Sequence, residues 1–141
     1  MVLFAKFFFM LNIVSSFTLL HKNRPHSVIR MLAANVPSHV ADAKSKVANG
    51  EALLVDVREP NEWAEGHFAK AVNVPYLSQL AEGGKIPEEL LNANKPLVVH
   101  CKMGGRAKKA SELLAASGAS TVCLSESFAE LCDYEFDDLS K

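Results

Sequence analysis

The sequence predicts an α/β domain, a mostly parallel sheet of about five strands with helices on both faces. Three observations predict it. Short runs rich in Val and Leu recur between stretches of helical spacing, as strands buried on both faces require. Gly and Pro punctuate the boundaries between them. At 141 residues, 49% of them apolar, the chain can bury one core of ordinary size and has no room for two.

The elements begin at Val36. Ser38 is placed to cap a helix whose apolar positions Val40, Ala43 and Val47 share a face, and Asn49-Gly50 closes it. Ala52 to Val57 is a nearly continuous apolar run and gives the first strand. Glu59 to Glu65 suits a short helix, with Pro60 in its first turn, acids near its positive end, and Gly66 as the stop. Ala71 to Val74 is a short strand ended by Pro75. Leu77 to Asn92 holds two short helical pieces divided by Gly83-Gly84 and Pro87. Pro96 to His100 is the third clear strand. Arg106 to Ser117 is a helix with Ala107, Ala110, Leu113 and Leu114 on one face, Gly118 follows it, and Thr121 to Leu124 supplies another strand.

Residues 1–35 differ from this pattern. No Asp or Glu precedes Asp42, whereas Lys6, Lys22, Arg24 and Arg30 do, and Val2 to Leu20 is apolar apart from Lys6 and a few small polar residues. The segment reads as a targeting or signal-like stretch outside the fold, which leaves 36–141 as the domain. Lack of acids, with Ser and Arg present, favours an organelle, plastid or mitochondrion. The Phe-rich run leaves a secretory signal or a membrane anchor as alternatives, and a start at Met31 would leave the domain in the cytoplasm. Membrane contact is expected only through this segment, if it is uncleaved.

Composition excludes several function classes. A net charge of -1 supplies no basic field for a nucleic-acid backbone. Cys101, Cys123 and Cys132 form no Cys-x-x-Cys pair and no zinc-finger spacing with His, so neither a disulfide scaffold nor a metal site is expected. The acidic stretch Asp133 to Asp138 reads as a solvated end.

The chemistry concentrates at Cys101. In open parallel sheets, ligands bind where strand C-termini meet helix N-termini, because backbone donors and helix dipoles converge there. Cys101 follows a predicted strand and precedes Lys102-Met103-Gly104-Gly105-Arg106, whose two glycines permit a tight turn with N–H groups directed inward. Such a nest, flanked by Lys102 and Arg106, favours a sulfur anion. His100, one residue earlier, should point to the opposite face and is a poor base for that thiol.

These segments resemble the rhodanese family over about residues 38 to 135. Asp56-Val57-Arg58-Glu59, then Glu62-Trp63 and Gly66-His67-Phe68, is similar to the first family signature, and Ala71 to Pro75 to the strand after it. Val98-Val99-His100-Cys101, the loop to Arg106 and the following helix resemble the active-site strand, loop and helix. The resemblance implies a rhodanese-like fold and a sulfurtransferase in which Cys101 carries a sulfane sulfur as a persulfide. Lys102, Met103, Gly104, Gly105 and Arg106 would hold the substrate. The donor would be a thiosulfate-like ion or a protein persulfide, the acceptor a thiol or cyanide; no cofactor is implied. The loop places four residues between Cys101 and Arg106, one fewer than in cysteine phosphatases, and the smaller ring suits a single sulfur rather than a phosphate.

Two departures from the family pattern stand out. Ala107 occupies a position where many active members carry Ser or Thr, which removes one hydroxyl donor, and Glu126 to Leu131 replaces a Gly-Gly-x-x-x-Trp signature. The first favours, as the alternative reading, a persulfide carrier or sulfur-relay module for a protein partner. Asp56 and Arg58 are possible site-lining residues, with ion-paired scaffolding as the simpler role. Trp63 and His67 read as packing and hydrogen-bonded scaffold, and Cys123 as an inert strand residue.

Overall fold

A wholly parallel sheet in the order β3-β1-β4-β5 organises residues 36–141, which are those described by the computed structural model. Residues 1–35, read above as a targeting segment, lie outside the described residues. The strands are β1 (Leu53–Asp56), β3 (Ala71–Asn73), β4 (Leu97–His100) and β5 (Thr121–Cys123), with Leu54 opposite Val98 and Val99 opposite Cys123 in the register. The fold class is the expected one. The strand count differs, because two pairs of residues, β2 (His67–Phe68) and β6 (Leu139–Ser140), form a separate antiparallel ribbon. Two-residue strands carry no readable alternation, so the sequence pattern does not reveal them.

Helices cover both faces. On one side α1 (Ser38–Ala48) and α5 (Phe128–Asp133) bury Val40, Ala43, Val47 and Leu131 against Leu54, Val98 and Phe68. On the other, α4 (Gly105–Ala116) buries Ala107, Ala110 and Leu114 against Val55, Val99 and Cys101. A π-type turn at Tyr76–Leu80 and the short α3 (Glu88–Leu91) add Leu80 and Leu90 to that layer. Because successive strand residues face opposite sides, Cys101 belongs to the α4 side and His100 to the α1 side, as the alternation predicts.

Three local expectations change. Ser38 is the first helical residue and makes no cap; Pro37 precedes it, and its carbonyl accepts from Val40 and Ala41. Leu113, assigned above to the buried face of α4, is 40% exposed, and Ser111 is buried instead, because the packed face runs through 107, 110, 111 and 114. Glu59, counted above in the helix, instead precedes α2 (Pro60–Glu65) as its N-cap residue, and its N–H donates to the Glu62 side chain at 3.1 Å.

Candidate active site

Cys101 lies at the C-terminal end of β4, 1% exposed, with α4 starting four residues later. Sheet and helix converge there by connection. Among the described residues, the N–H groups of Lys102, Met103, Gly104, Gly105, Arg106 and Ala107 donate to no backbone or side-chain oxygen. The first N–H groups of a helix have no partner within it, and here the loop extends that run back to the cysteine. Such a row of donors at a helix N-terminus suits an anion.

Gly104 makes the turn possible. Its φ of +80° lies in the left-handed region, and a Cβ there would stand 2.3 Å from the Ser125 carbonyl oxygen. The loop is therefore pressed against residues 125–128, and the Phe128 N–H donates to the Lys102 carbonyl at 3.0 Å. Gly105 is different from its expected role: it is the first residue of α4, without a positive φ and with open space beside it. Only one of the two glycines is used for its conformation.

The flanking cations are unequal. Arg106 is committed to Glu62, with Nη1 at 2.5 Å from Oε2 and Nη2 at 2.9 Å from Oε1. The guanidinium holds the Glu62 carboxyl down at about 2, and the Glu62 hydrogen bonds in turn raise Arg106 above its ordinary value. Lys102 is exposed and its Nζ reaches only 4.0 Å from Glu62, so it keeps most of its charge at the mouth. Glu62 was visible in the sequence only as part of the first signature. Its partner lies 44 residues away, which no local spacing reveals.

Asp56 and Arg58 form a buried two-pronged pair, with Nη2–Oδ2 at 2.7 Å and Nε–Oδ2 at 2.9 Å. Asp56 is fully buried, and its side chain faces His100 on the side away from Cys101. Arg58 goes further, donating to the Glu62 and Gly66 carbonyls and stacking 3.8 Å over the Phe128 ring. It anchors α2 and the ribbon, and contributes to the flank of the loop only through the wall it builds with Phe128. His67 stacks on Trp63 at 3.7 Å and sits 3.2 Å from the Trp63 carbonyl, so both are scaffold here. Burial raises the Cys123 thiol.

A profile of the rhodanese-like domain matches residues 39–133, about two thirds of the chain and the whole of the sheet and loop just described. The chain belongs to the rhodanese-like domain family. Relatives of this domain include thiosulfate sulfurtransferase 16, chloroplastic, of Arabidopsis thaliana, 37% identical over 71 residues that span 45% of this chain and 59% of that protein. Thiosulfate sulfurtransferase 18 of the same plant is 35% identical over 88 residues, 56% of this chain and 64% of its own. The chain thus spans less than two thirds of the length of these relatives. Among solved structures, a rhodanese-related protein from Thermoplasma volcanium superposes with a TM-score of 0.58 at 27% identity, covering 72% of this chain and 93% of that one. A rhodanese-like domain protein from Staphylococcus aureus gives 0.54 at 25% identity over 72% and 92%. The matched residues thus include the whole sheet and the loop headed by Cys101, in a domain family whose members similar to this chain include proteins named thiosulfate sulfurtransferases.

Proposed function

We propose that Cys101 accepts a sulfane sulfur, carries it as a persulfide and passes it to a thiophilic acceptor. The observation that carries this reading is the run of six unpartnered N–H groups that starts next to Cys101. A Cys101 thiolate attacks the outer sulfur of thiosulfate; the new S–S bond forms, the old one breaks, and sulfite leaves with the electron pair. The loop donors hold the resulting persulfide anion, as donors fixed before reaction stabilise charge without reorganising. Lys102 attracts the dianionic donor to the mouth. The names of the two Arabidopsis relatives support thiosulfate as a donor.

Intact-protein mass after thiosulfate treatment tests it: the wild type should gain one sulfur and Cys101→Ser none. Equal modification of the serine variant would remove Cys101 from the role. A second reading, a carrier that receives its sulfur from a protein persulfide, is favoured by Ala107, which offers no hydroxyl beside the loop. Charging by a cysteine desulfurase much faster than by thiosulfate would select it. We also place the protein in an organelle, from the acid-free residues 1–35 and the chloroplastic relative. A fluorescent protein fused to residues 1–35 should leave the cytosol; a diffuse cytosolic signal overturns the assignment.

A further inference from the structure

Glu59 makes no hydrogen bond to the loop after Cys101, yet two elements beside that loop are fastened to it. Its backbone N–H donates to the Glu62 side chain at 3.1 Å, and Glu62 is the residue that holds Arg106. Its own carboxylate reaches the other way, to the turn Tyr76–Leu80: Oε1 accepts from the Leu77 N–H at 2.9 Å and Oε2 from the Ser78 N–H at 3.3 Å. The leading N–H groups of a helical turn have no partner within it, and these two have no other acceptor among the described residues. Tyr76, at the head of the turn, donates to the Val57 carbonyl at 3.1 Å. Without the Glu59 side chain, that would be the only hydrogen bond from the start of the turn to the segment after β1.

The turn matters to the site because of where it packs. It lies against α4, and Tyr76 and Leu80 belong to the layer that contains Cys101 and Ala107. A π-type turn is a rare conformation that its surroundings must hold, and such turns recur at functional sites. Arg106 responds to the same residue: the Glu62 hydrogen bonds raise it most, and the Glu59 charge adds a smaller contribution.

We propose that Glu59 is a positioning residue for sulfur transfer, clamping the turn Tyr76–Leu80 and the Glu62–Arg106 pair at one fixed spacing around Cys101. The proposal rests on the persulfide reading of Cys101 and adds a residue to that site. Transfer needs the acceptor atom, the outer sulfur and Sγ in line, with the loop donors already facing the departing charge. A misplacement of about 1 Å can cost about 100-fold in rate. Glu59 is half-buried and its bonds to the turn lie near the surface, so the sheet and its core do not depend on them. Attraction of the donor belongs to Lys102.

Single-turnover discharge tests the clamp without counting unfolded molecules. The full chain and its Glu59→Gln and Glu59→Ala variants are charged with thiosulfate, the persulfide is quantified by intact mass, and thiocyanate formation is followed after mixing with a fixed excess of cyanide. The discharge constant per charged protein should fall about tenfold in Glu59→Ala and less in Glu59→Gln, whose amide oxygen still accepts from one of the two N–H groups. The KM for thiosulfate should stay within about twofold in both. A constant equal to wild type in Glu59→Ala overturns the proposal, since a residue that only stabilises the fold changes the amount of charged protein and not this constant. Equal loss in the two variants also overturns it, because the effect would then belong to charge and not to anchoring. Amide exchange followed by NMR needs no sulfur chemistry: Leu77 and Ser78 should exchange faster in Glu59→Ala while Val98 and Val99 do not. Unchanged exchange at Leu77 and Ser78, or faster exchange throughout the sheet, overturns the clamp. Failure of the wild type to take up sulfur would instead strike the persulfide reading and leave the exchange result standing.

Discussion

Glu62 and Arg106 lie in different helices, α2 and α4, and their side chains tie those helices together across the mouth of the loop with two hydrogen bonds. Both are mostly shielded from solvent, so the pair has a stability value that an open surface pair lacks. Charge-assisted bonds of this kind contribute about 1.5 to 3 kcal/mol.

Glu62→Gln should therefore destabilise the fold at neutral pH and free Arg106 toward the loop. The Glu62 carboxyl titrates at about 2 in the fold against 4.5 ordinarily, a depressed value, so its contribution is complete above about 4.5 and is lost as pH falls toward about 2. The stability gap between wild type and variant, read from urea unfolding, should stay constant above that window and close within it. A gap that persists in strong acid would mean that the substitution acts by packing.

The two loop glycines separate by their geometry. Gly104→Ala meets the Ser125 carbonyl in a backbone conformation that alanine resists, and should cost about 2 to 4 kcal/mol and abolish charging of Cys101. Gly105→Ala enters open space at the first turn of α4 and should change stability by no more than about 0.5 kcal/mol. Thermal unfolding of the two variants, with thiosulfate-dependent mass gain, checks both. Similar damage from both would contradict the assignment of the turn to Gly104 alone.

Lys102→Ala should raise the Michaelis constant for thiosulfate more than it lowers kcat, and more at low salt than at high, because its role is to attract a dianion from an exposed site. Ala107→Ser adds a hydroxyl at a fully buried position next to the loop and should raise the rate if a missing donor limits transfer. Steady-state kinetics over a salt series reads both. A salt-independent effect of Lys102→Ala would point to loop structure rather than attraction.

The sheet and the loop were legible because their signals are contiguous. Leu97 to His100 is an unbroken apolar strand pattern, and the five residues after Cys101 carry their glycines and cations in a row. What stayed hidden depends on contacts distant in sequence. Glu62 meets Arg106, and Leu139 pairs with Phe68, across separations that periodicity does not encode. Asp56 and Arg58 were legible as a pair and not as to side: only the register, which sets Asp56 beside His100, turns them away from the cysteine. Glu126 to Leu131 read as a lost signature. In the fold it supplies the Ser125 contact's neighbours, the Phe128 wall and a Ser127–Glu130 capping box.

His100 provides the last prediction. Its ring is fully buried between Phe68, at 5.2 Å, and Phe128, at 5.9 Å, and Nε2 stands 3.7 Å from Asp56 Oδ2, too far for a hydrogen bond. Asp56 is already spent on Arg58, so it cannot serve a second cation well. Burial, opposed in part by Asp56, lowers the imidazole from 6.5 to about 4. The unfolded chain thus takes up a proton that the fold refuses, and stability is lost as pH falls from about 6.5 to about 4, by about 3 kcal/mol at the end of the window. This window overlaps that of Glu62 only between about 4.5 and about 4, so its upper part, from about 6.5 to about 4.5, reports His100 separately. His100→Leu keeps an apolar side chain of similar bulk and should flatten the upper window while leaving the lower one in place. Urea midpoints measured across both windows check it, and an unaltered slope between about 6.5 and about 4 in the variant would show that His100 is not the group that titrates there.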